Sequence, residues 1–340
     1  MSYVLNSNIC DTESVLVIIL ITSHAGDLAF RNKIREMFPS SEMRRLGMRR
    51  AFLLGRINKM TISAKYLNIE LHQLQEESHL NSDIIMGDFM ESYKNLTYKH
   101  LMGLDWVTRY CQKAQYVFKQ DDDITVDYYQ IAEFLTRPQD YFKMNSKITI
   151  GQELLSAGDK FVLGKSLVNM EVIRDVTSKW FVPIEEYRAN RYPPFVSGWG
   201  YFTTPSAVWD MIKLSHSEKY FWIDDVHITG TLREKSGVPL IDMSAIFTHY
   251  KGQMMCCLTP ANAKSKHYQP FWCDFLVGPT NDDMQLLSLL QQHSRFCHTT
   301  KTCVRRNSDE ELNKTCVVTD VNLQGHNLGK GKAVVQKMKL

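Results

Sequence analysis

The strongest constraint on the fold is an alternation of short β-branched runs with longer amphipathic runs in the first third of the chain. Val15–Thr22 has the length and branching of a buried strand, and Leu28–Met37 has the spacing of a helix. Further short apolar runs at residues 50–55, 83–86 and 116–118 predict three more strands. Strands that alternate with helices form a largely parallel sheet covered on both faces. The sequence therefore predicts an α/β fold.

Three consecutive carboxylates, Asp121, Asp122 and Asp123, directly follow the predicted strand at 116–118. Adjacent negative charges repel one another, whereas a hard divalent cation binds several carboxylate oxygens at once. Alternate side chains of an extended segment point the same way, so Asp121 and Asp123 can face one site. In α/β sheets, ligands bind at the carboxyl ends of strands. The spacing predicts a metal and phosphate site, and the alternative is a solvated acidic turn that caps the following helix.

A second acid pair, Asp224 and Asp225, lies in an apolar and aromatic stretch. Carboxylates in such surroundings bind a proton more tightly, which suits a general base. The alternative is that one of the two caps the helix predicted to follow them. Upstream, Trp199 and Tyr201 belong to a loop rich in proline, glycine and aromatic residues. This composition is typical of rigid surfaces that hold sugars or nucleobases, and a packed proline turn is the alternative.

Composition and charge exclude some classes of protein. At 340 residues with 44% hydrophobic residues, the chain can bury a large core. A net charge of +3 and a pI near 8.3 are too mild to indicate nucleic-acid binding, so no nucleic-acid partner is expected. The apolar run at residues 15–21 is too short to span a bilayer. We expect neither an anchor nor a signal peptide in this sequence, and membrane association only if an anchor is missing from it.

The eight cysteines contain no C-x-x-C pair, so a structural zinc site is not predicted. Six of them follow residue 255, namely Cys256, Cys257, Cys273, Cys297, Cys303 and Cys316. This crowding predicts a disulfide-tied C-terminal region in an oxidising compartment. Buried free thiols are the alternative.

Eight short motifs occur between about residue 15 and residue 251. In chain order they are Arg31-x-x-Ile34-Arg35, Phe52-Leu53-Leu54-Gly55, Asp88-Phe89-x-x-x-Tyr93-x-Asn95-Leu96-Thr97-x-Lys99, Lys119-x-Asp121-Asp122-Asp123, Lys179-Trp180, Glu185-Glu186-Tyr187, Tyr192-Pro193-Pro194-x-x-Ser197-Gly198-x-Gly200-Tyr201, and Asp224-Asp225-Val226. This series resembles the β1,3-galactosyltransferase family, the inverting Golgi glycosyltransferases that also include β1,3-N-acetylglucosaminyltransferases. Each motif alone is weak, but eight in this order are specific.

The resemblance implies a GT-A-like α/β fold, in which a nucleotide-sugar-binding sheet is flanked by helices and merged with an acceptor-binding half. It implies a UDP-sugar donor, a glycan, glycolipid or glycoprotein acceptor, and Mn²⁺ or Mg²⁺ as cofactor. The implied enzyme is a β1,3-hexosyltransferase, with galactose as the first choice, in the Golgi lumen or at the Golgi membrane. The alternatives are transfer of N-acetylglucosamine or N-acetylgalactosamine, and a catalytically silent relative that binds glycans or a partner.

The resemblance also assigns roles to particular residues. It implies that Asp225 is the catalytic base and that Asp121 and Asp123 bind the metal. Nucleotide-sugar contacts are expected at Arg31, Arg35, Lys99 and Asp122. An acceptor or sugar pocket is expected at Trp199, Tyr201 and Asp224, the last of which replaces a glutamate that is usual in the family. The family's metal-binding histidine has no counterpart at residues 275–279, so water or His249 is the expected replacement.

The sequence divides into three expected regions. Residues 1–14 are expected to be a flexible N-terminus, and residues 305–340 a disordered tail, because both are polar. The glycosyltransferase domain would occupy residues 15–304. Within it we expect a nucleotide-sugar half at about 15–150 and an acceptor half at about 151–304, with a further strand at 147–151.

Overall fold

The computed structural model describes residues 2–11, 14–57, 69–144, 148–258 and 270–317. The strands in this part of the chain are β1 (Tyr3–Leu5), β2 (Val15–Thr22), β3 (Met48–Arg56), β4 (Ile84–Met90), β5 (Ala114–Asp121), β6 (Ile124–Val126), β7 (Val162–Leu167), β8 (Phe195–Thr203), β9 (Leu240–Asp242) and β10 (Val277–Pro279). The α-helices are α1 (Leu28–Met37), α2 (Ser40–Arg45), α3 (Leu71–Asn81), α4 (Leu96–Tyr110), α5 (Tyr128–Thr136), α6 (Pro138–Met144), α7 (Ile148–Ser156), α8 (Pro205–Ser215), α9 (Arg233–Lys235), α10 (Lys251–Cys256), α11 (Met284–Thr300) and α12 (Leu312–Thr315). A π-helical segment, Val226–Leu232, leads directly into α9.

The predicted parallel sheet is confirmed in the first half of the chain. β2 lies between β3 and β5 and pairs in parallel with both, and β4 pairs in parallel with β3. Side chains of β2 alternate between two cores, because Val17, Ile19 and Ile21 pack with α1 and α5 while Ile18 and Leu20 pack with α4 and α8. Burial on both faces explains why this strand is a continuous apolar run.

The second half extends the same sheet through β8, which runs against β5, and through β7 and β9, which run in the same direction as β5. β8 pairs antiparallel with β5, β7 pairs antiparallel with β8, and β9 lies parallel to β7. The full order is β1-β4-β3-β2-β5-β8-β7-β9, and β10 pairs with β6 in a separate two-stranded sheet. Strands from both expected halves therefore take part in the large sheet, and the predicted α/β class is confirmed.

Several local predictions are wrong. The loop predicted around Trp199 and Tyr201 is part of strand β8, Phe195–Thr203. The N-terminus is packed instead of flexible: β1 pairs with β4, the Trp106 indole donates to Asn6 Oδ1 at 2.7 Å, and Cys10 is disulfide-bonded to Cys111. The strand predicted at residues 147–151 is replaced by α7, and residue 147 lies outside the described residues. A short apolar run fits either element, and here Ile150 and Leu154 bury one helical face.

The C-terminal prediction is wrong for residues 305–317, which pack against the domain. Arg306 pairs with Asp274 at 3.0 Å, and Cys316 is disulfide-bonded to Cys256. The polar composition did not predict this packing, because the contacts are an ion pair, a disulfide and the buried side chain of Leu312, without a continuous apolar face. Residues 318–340 of the predicted tail lie outside the described residues.

The predicted disulfides are confirmed. Every cysteine is paired, as Cys10–Cys111, Cys256–Cys316, Cys257–Cys273 and Cys297–Cys303. Disulfides persist in oxidising compartments, so the pairing fits a secreted or luminal protein. No helix in the described part of the chain is long and apolar enough to cross a membrane.

Candidate active site

The acidic triplet lies at the carboxyl edge of the sheet, where β5 ends at Asp121. In the strand register, Thr22 at the end of β2 is opposite Asp121, and Gly200 of β8 is opposite Gln120. The triplet thus stands between the loop that follows β2 and the middle of β8. This is the edge at which α/β sheets bind ligands.

The triplet carries more negative charge than the surrounding protein neutralises. Burial, followed by the charge of Asp121, raises the pKa of Asp123 to about 7. Burial and the neighbouring carboxylates likewise raise the pKa of Asp122 to about 7. Within the described ranges, Asp123 Oδ1 is buried and has no hydrogen-bond partner. A buried acceptor without a donor is costly, so this oxygen is suited to meet a ligand.

These residues fit a divalent cation that is held partly by the protein and partly by its substrate. Asp121 and Asp123 supply hard oxygen donors, and Mg²⁺ is commonly bound by one or two carboxylates together with substrate phosphates. No cluster of three or more His, Cys, Asp or Glu side chains in the described part of the chain is arranged to hold a metal. The unpartnered Oδ1 of Asp123 and the two-carboxylate donor set therefore match a metal completed by phosphate and water.

His249 does not join the acidic triplet, because no three-residue metal cluster is formed in the regions that the structure describes. Its ring lies edge-on against Trp199, with the ring centroids 4.8 Å apart. Burial, together with the charge of Lys165, lowers the pKa of His249 to about 4, so the ring is neutral. The predicted third ligand is therefore corrected to a packing partner of Trp199, which itself packs on the main core.

Lys119 links the triplet to β8. Its Nζ donates to Asp121 Oδ1 at 2.7 Å and to the carbonyl of Gly198 at 2.6 Å. Burial lowers the pKa of this ammonium, but the charges of Asp121 and Asp224 outweigh burial, so the pKa is raised. The sequence assigned Lys119 no role, although its position two residues before Asp121 in one strand puts both side chains on the same face.

Asp225 lies next to Gly198. Its Oδ1 accepts a hydrogen bond from the backbone N–H of Val226 at 2.9 Å. A Cβ atom at position 198 would come within 3.4 Å of Asp225 Oδ2, so the glycine backbone and the carboxylate are close neighbours. Burial, followed by the charge of Asp224, raises the pKa of Asp225 to about 7. A carboxylate with this pKa is matched to proton transfer near neutral pH.

Asp224 is held by His100, a residue that the sequence did not indicate. His100 Nδ1 lies 2.9 Å from Asp224 Oδ2, and His100 Nε2 lies 2.7 Å from the Tyr201 hydroxyl. Burial lowers the pKa of His100, which favours a neutral ring. The ionised Asp224 can only accept, so this ring donates from Nδ1 and accepts at Nε2. Burial raises the pKa of Asp224, but the His100 hydrogen bond and the Lys119 charge outweigh it and lower the pKa to about 2.

Arg31 and Lys99, which were predicted to contact the nucleotide, form hydrogen bonds to the loop at residues 23–25 from the protein interior. Arg31 donates to the carbonyls of residues 24 and 25 at 2.6 and 3.1 Å, and Lys99 Nζ donates to that of residue 23 at 2.7 Å. Arg31 also binds both carboxylate oxygens of Glu77. The exposed fractions of Arg31 and Lys99 are 0% and 2%, so neither side chain can reach a ligand in this conformation. Their predicted role is corrected to support of the loop that follows β2.

Two more predicted site residues are supports. Arg35 forms a bidentate pair with Asp83, with distances of 3.0 and 2.7 Å. Tyr201 is fully buried and its hydroxyl is bonded to His100, so it does not line a sugar pocket. In both cases the residue type suited a ligand contact, but the side chain points into the protein.

The chain matches known proteins over most of its length. The family model described as "Galactosyltransferase" matches residues 29–244. Beta-1,3-galactosyltransferase 1 of Mus musculus is 31% identical over 252 residues, which cover 74% of this chain and 69% of that protein. Beta-1,3-galactosyltransferase 5 of Homo sapiens is 31% identical over 244 residues, which cover 72% and 70%. These matches define a glycosyltransferase. More particularly, the chain belongs to the galactosyltransferase family, as its motifs predict.

Similarity to solved structures is weak. The crystal structure of galactosyltransferase LgtC in complex with donor and acceptor sugar analogs is 9% identical, with a TM-score of 0.33. The match covers 82% of this chain and 95% of that one. At this level of similarity we draw nothing from it, and the family assignment rests on the sequence matches.

Proposed function

We propose that the protein is a metal-dependent, inverting glycosyltransferase that moves galactose from UDP-galactose to a hydroxyl of a glycan in β1,3 linkage. Membership of the galactosyltransferase family supports transfer of a sugar, and the names of the similar proteins support galactose and the β1,3 linkage. The observation that carries the mechanism is the Lys119 ammonium, which binds both Asp121 and the Gly198 carbonyl. A Cβ atom at Gly198 would also lie 3.4 Å from Asp225 Oδ2, so Lys119 with its Asp121 partner and the protonatable carboxylate of Asp225 meet at the same residue of β8.

On the donor side, Asp121 and Asp123 would hold a Mn²⁺ or Mg²⁺ ion through their carboxylate oxygens. When bound, the cation would neutralise the charge that develops on the diphosphate as its bond to the sugar breaks. Lys119 keeps the Asp121 carboxylate oriented by a hydrogen bond, and the buried contacts of Arg31 and Lys99 keep the neighbouring loop in place. These residues thus pre-organise the site before the donor arrives.

On the acceptor side, Asp225 accepts the proton of the attacking hydroxyl. The acceptor oxygen forms its bond to the anomeric carbon while the bond from that carbon to the diphosphate breaks, and UDP leaves with the electron pair. A single in-line displacement inverts the anomeric centre, so an α-linked donor gives a β-linked product. The pKa of about 7 lets Asp225 release the proton to solvent afterwards.

We also propose that the acceptor is carried by a glycan, a glycolipid or a glycoprotein, and that the protein works in the Golgi lumen or at the Golgi membrane. The four disulfides support an oxidising compartment of the secretory route. A net charge of +3 gives no reason to add a nucleic-acid partner.

The test is release of UDP from a panel of UDP-sugars in the presence of Mn²⁺, with and without simple glycoside acceptors. We expect release from UDP-galactose that is abolished by a chelator and by Asp225→Asn. The matched control is Asp140→Asn, an exposed acid on α6, which should leave release unchanged. Release from UDP-N-acetylglucosamine or UDP-N-acetylgalactosamine would instead change the proposed sugar. Metal-dependent UDP binding without release from any donor would favour a silent binding protein.

A further inference from the structure

A buried chain of hydrogen bonds runs from the sheet to the second acid pair. The Tyr201 hydroxyl of β8 donates to His100 Nε2 of α4, and His100 Nδ1 donates to Asp224 Oδ2. Tyr201 and His100 are 0% and 1% exposed, so water does not compete for these bonds. Three elements that are far apart in the sequence thus converge on one carboxylate.

Asp224 is the residue before the candidate base and shares its surroundings. The titratable and charged groups that face the two acids come from several elements: Tyr93, His100, Lys119, Asp121, Tyr192, Tyr201, Tyr220 and His227. Among these, His100 supplies the hydrogen bond to Asp224. Lys119 acts on Asp224 through its charge, since its own hydrogen bonds go to Asp121 and Gly198.

We propose that His100 is a positioning residue that fixes the carboxylate of Asp224 beside the candidate base Asp225. The inference rests on the proposed function, because it concerns the base of that reaction. A hydrogen bond from a neutral imidazole keeps Asp224 in one rotamer and in its charged form. That charge, next in the chain to Asp225, favours the protonated form of the base and so holds its pKa near neutrality.

Two substitutions separate the two hydrogen bonds of the ring. Asparagine places its amide near the position of Nδ1, so His100→Asn can still donate to Asp224. Glutamine places its amide near Nε2, so His100→Gln can still bind the Tyr201 hydroxyl but loses the donor to Asp224. Tyr201→Phe is the third variant, because it removes only the far hydrogen bond and leaves the ring in place.

The measurement is kcat and KM for the donor across a range of pH on both sides of neutrality. We expect His100→Gln to lower kcat by up to about a hundredfold, because a slightly misplaced catalytic group is enough for such a loss. The pH at which activity falls on the acid side should move lower, because Asp225 loses a neighbouring negative charge. KM for the donor and metal-dependent UDP binding should stay unchanged. His100→Asn should keep most of the activity and the original pH profile, with Tyr201→Phe close to it.

Two outcomes would overturn the proposal. Equal losses in His100→Asn and His100→Gln with an unmoved pH profile would reduce His100 to a packing residue. Full activity in His100→Gln, with thermal unfolding showing an intact fold, would make the hydrogen bond irrelevant.

A second measurement does not depend on turnover. Nitrogen NMR of the histidine rings should show His100 neutral, with the proton on Nδ1, through neutral pH. A proton on Nε2 or a charged ring would contradict the proposed hydrogen-bond chain. If the wild-type protein binds UDP but transfers no sugar, while the NMR result is as expected, the proposed function fails and the positioning of Asp224 stands.

Discussion

The two acid groups of the site differ in how the fold satisfies their charge. In the triplet at the end of β5, Asp121 is bound by Lys119, but Asp123 Oδ1 is buried with no partner among the described residues. In the second pair, Asp224 is bound by His100, and Asp225 accepts the Val226 amide. The first group thus keeps a carboxylate oxygen without a hydrogen-bond donor, whereas both acids of the second group have a donor within the protein.

Aspartate can therefore serve two kinds of chemistry in one site, depending on its partners. A carboxylate that its surroundings do not neutralise gains most from a cation, because the cation brings the opposite charge. Phosphates can then fill the remaining coordination positions of the cation. A carboxylate buried beside a permanently charged neighbour gains most from a proton. Both groups contain an aspartate with a pKa of about 7, so the pKa alone does not distinguish a metal ligand from a base. The hydrogen-bond partners of each carboxylate oxygen make that distinction.

Neutralising one acid in each group tests most directly whether the two groups have separate roles. We expect Asp123→Asn to remove metal-dependent UDP binding, because it removes a hard oxygen ligand from the cation. We expect Asp225→Asn to lower kcat by about 10²–10⁴-fold while UDP binding stays intact, because only the proton acceptor is lost. Calorimetric titration of UDP with and without Mn²⁺, followed by turnover assays, checks both. If the two variants lost UDP binding equally, the two groups would not have separate roles.

A second prediction concerns Lys119, which joins the two groups. Lys119→Met should lower the free energy of unfolding by about 2 kcal/mol, because it leaves Asp121 without its cation. The loss is below that of a wholly buried pair, since the Asp121 side chain is 33% exposed. Denaturant unfolding measures it.

The matched control for this substitution is Lys160→Met. Lys160 binds Asp210 at 2.7 Å, the same distance as in the Lys119 pair, but on the surface. We expect little change in stability there, because solvent screens exposed ion pairs. Equal effects at both sites would show that burial of Lys119 adds nothing.

The smallest expected effect is on the pH profile of the wild-type enzyme. The raised pKa of Asp225 means that the base is protonated, and therefore inactive, below about pH 7. Turnover should rise with pH through this region and fall by about tenfold for each unit below it, equivalent to about 1.4 kcal/mol in the barrier. Steady-state rates at saturating donor measure this profile. An acid limb near the ordinary aspartate value would show that Asp225 is not the base or that its pKa is not raised.

Much of the fold was accessible from the sequence, for identifiable reasons. β2 and α1 have the predicted limits, because a doubly buried strand and an amphipathic helix are defined by local patterns. The run at residues 147–151 was mistaken for a strand where α7 forms, since a short apolar run has no decisive period. The packing of residues 2–11 and 305–317 was missed because the disulfides Cys10–Cys111 and Cys256–Cys316 are long-range contacts.

The candidate site, like the fold, was only partly predictable from the sequence. Asp121, Asp123 and Asp225 were proposed from sequence because acids in apolar surroundings are conspicuous, and their roles stay predictions. Arg31 and Lys99 were assigned to the nucleotide through the family resemblance, but a motif match does not say which way a side chain points. Both are turned inward to carbonyl oxygens of the loop after β2.

The α/β class, the family, the disulfide-tied C-terminal region and the two groups of acids were all readable from the sequence alone. These follow from periodicity, composition and motif order, which are properties of neighbouring residues. Only the tertiary structure decided that Lys119 bridges β5 and β8, and that His100 holds Asp224 across 124 positions of sequence. The physical reason is that burial and hydrogen-bond partners set the charge of a carboxylate, and both arise only when distant segments pack together.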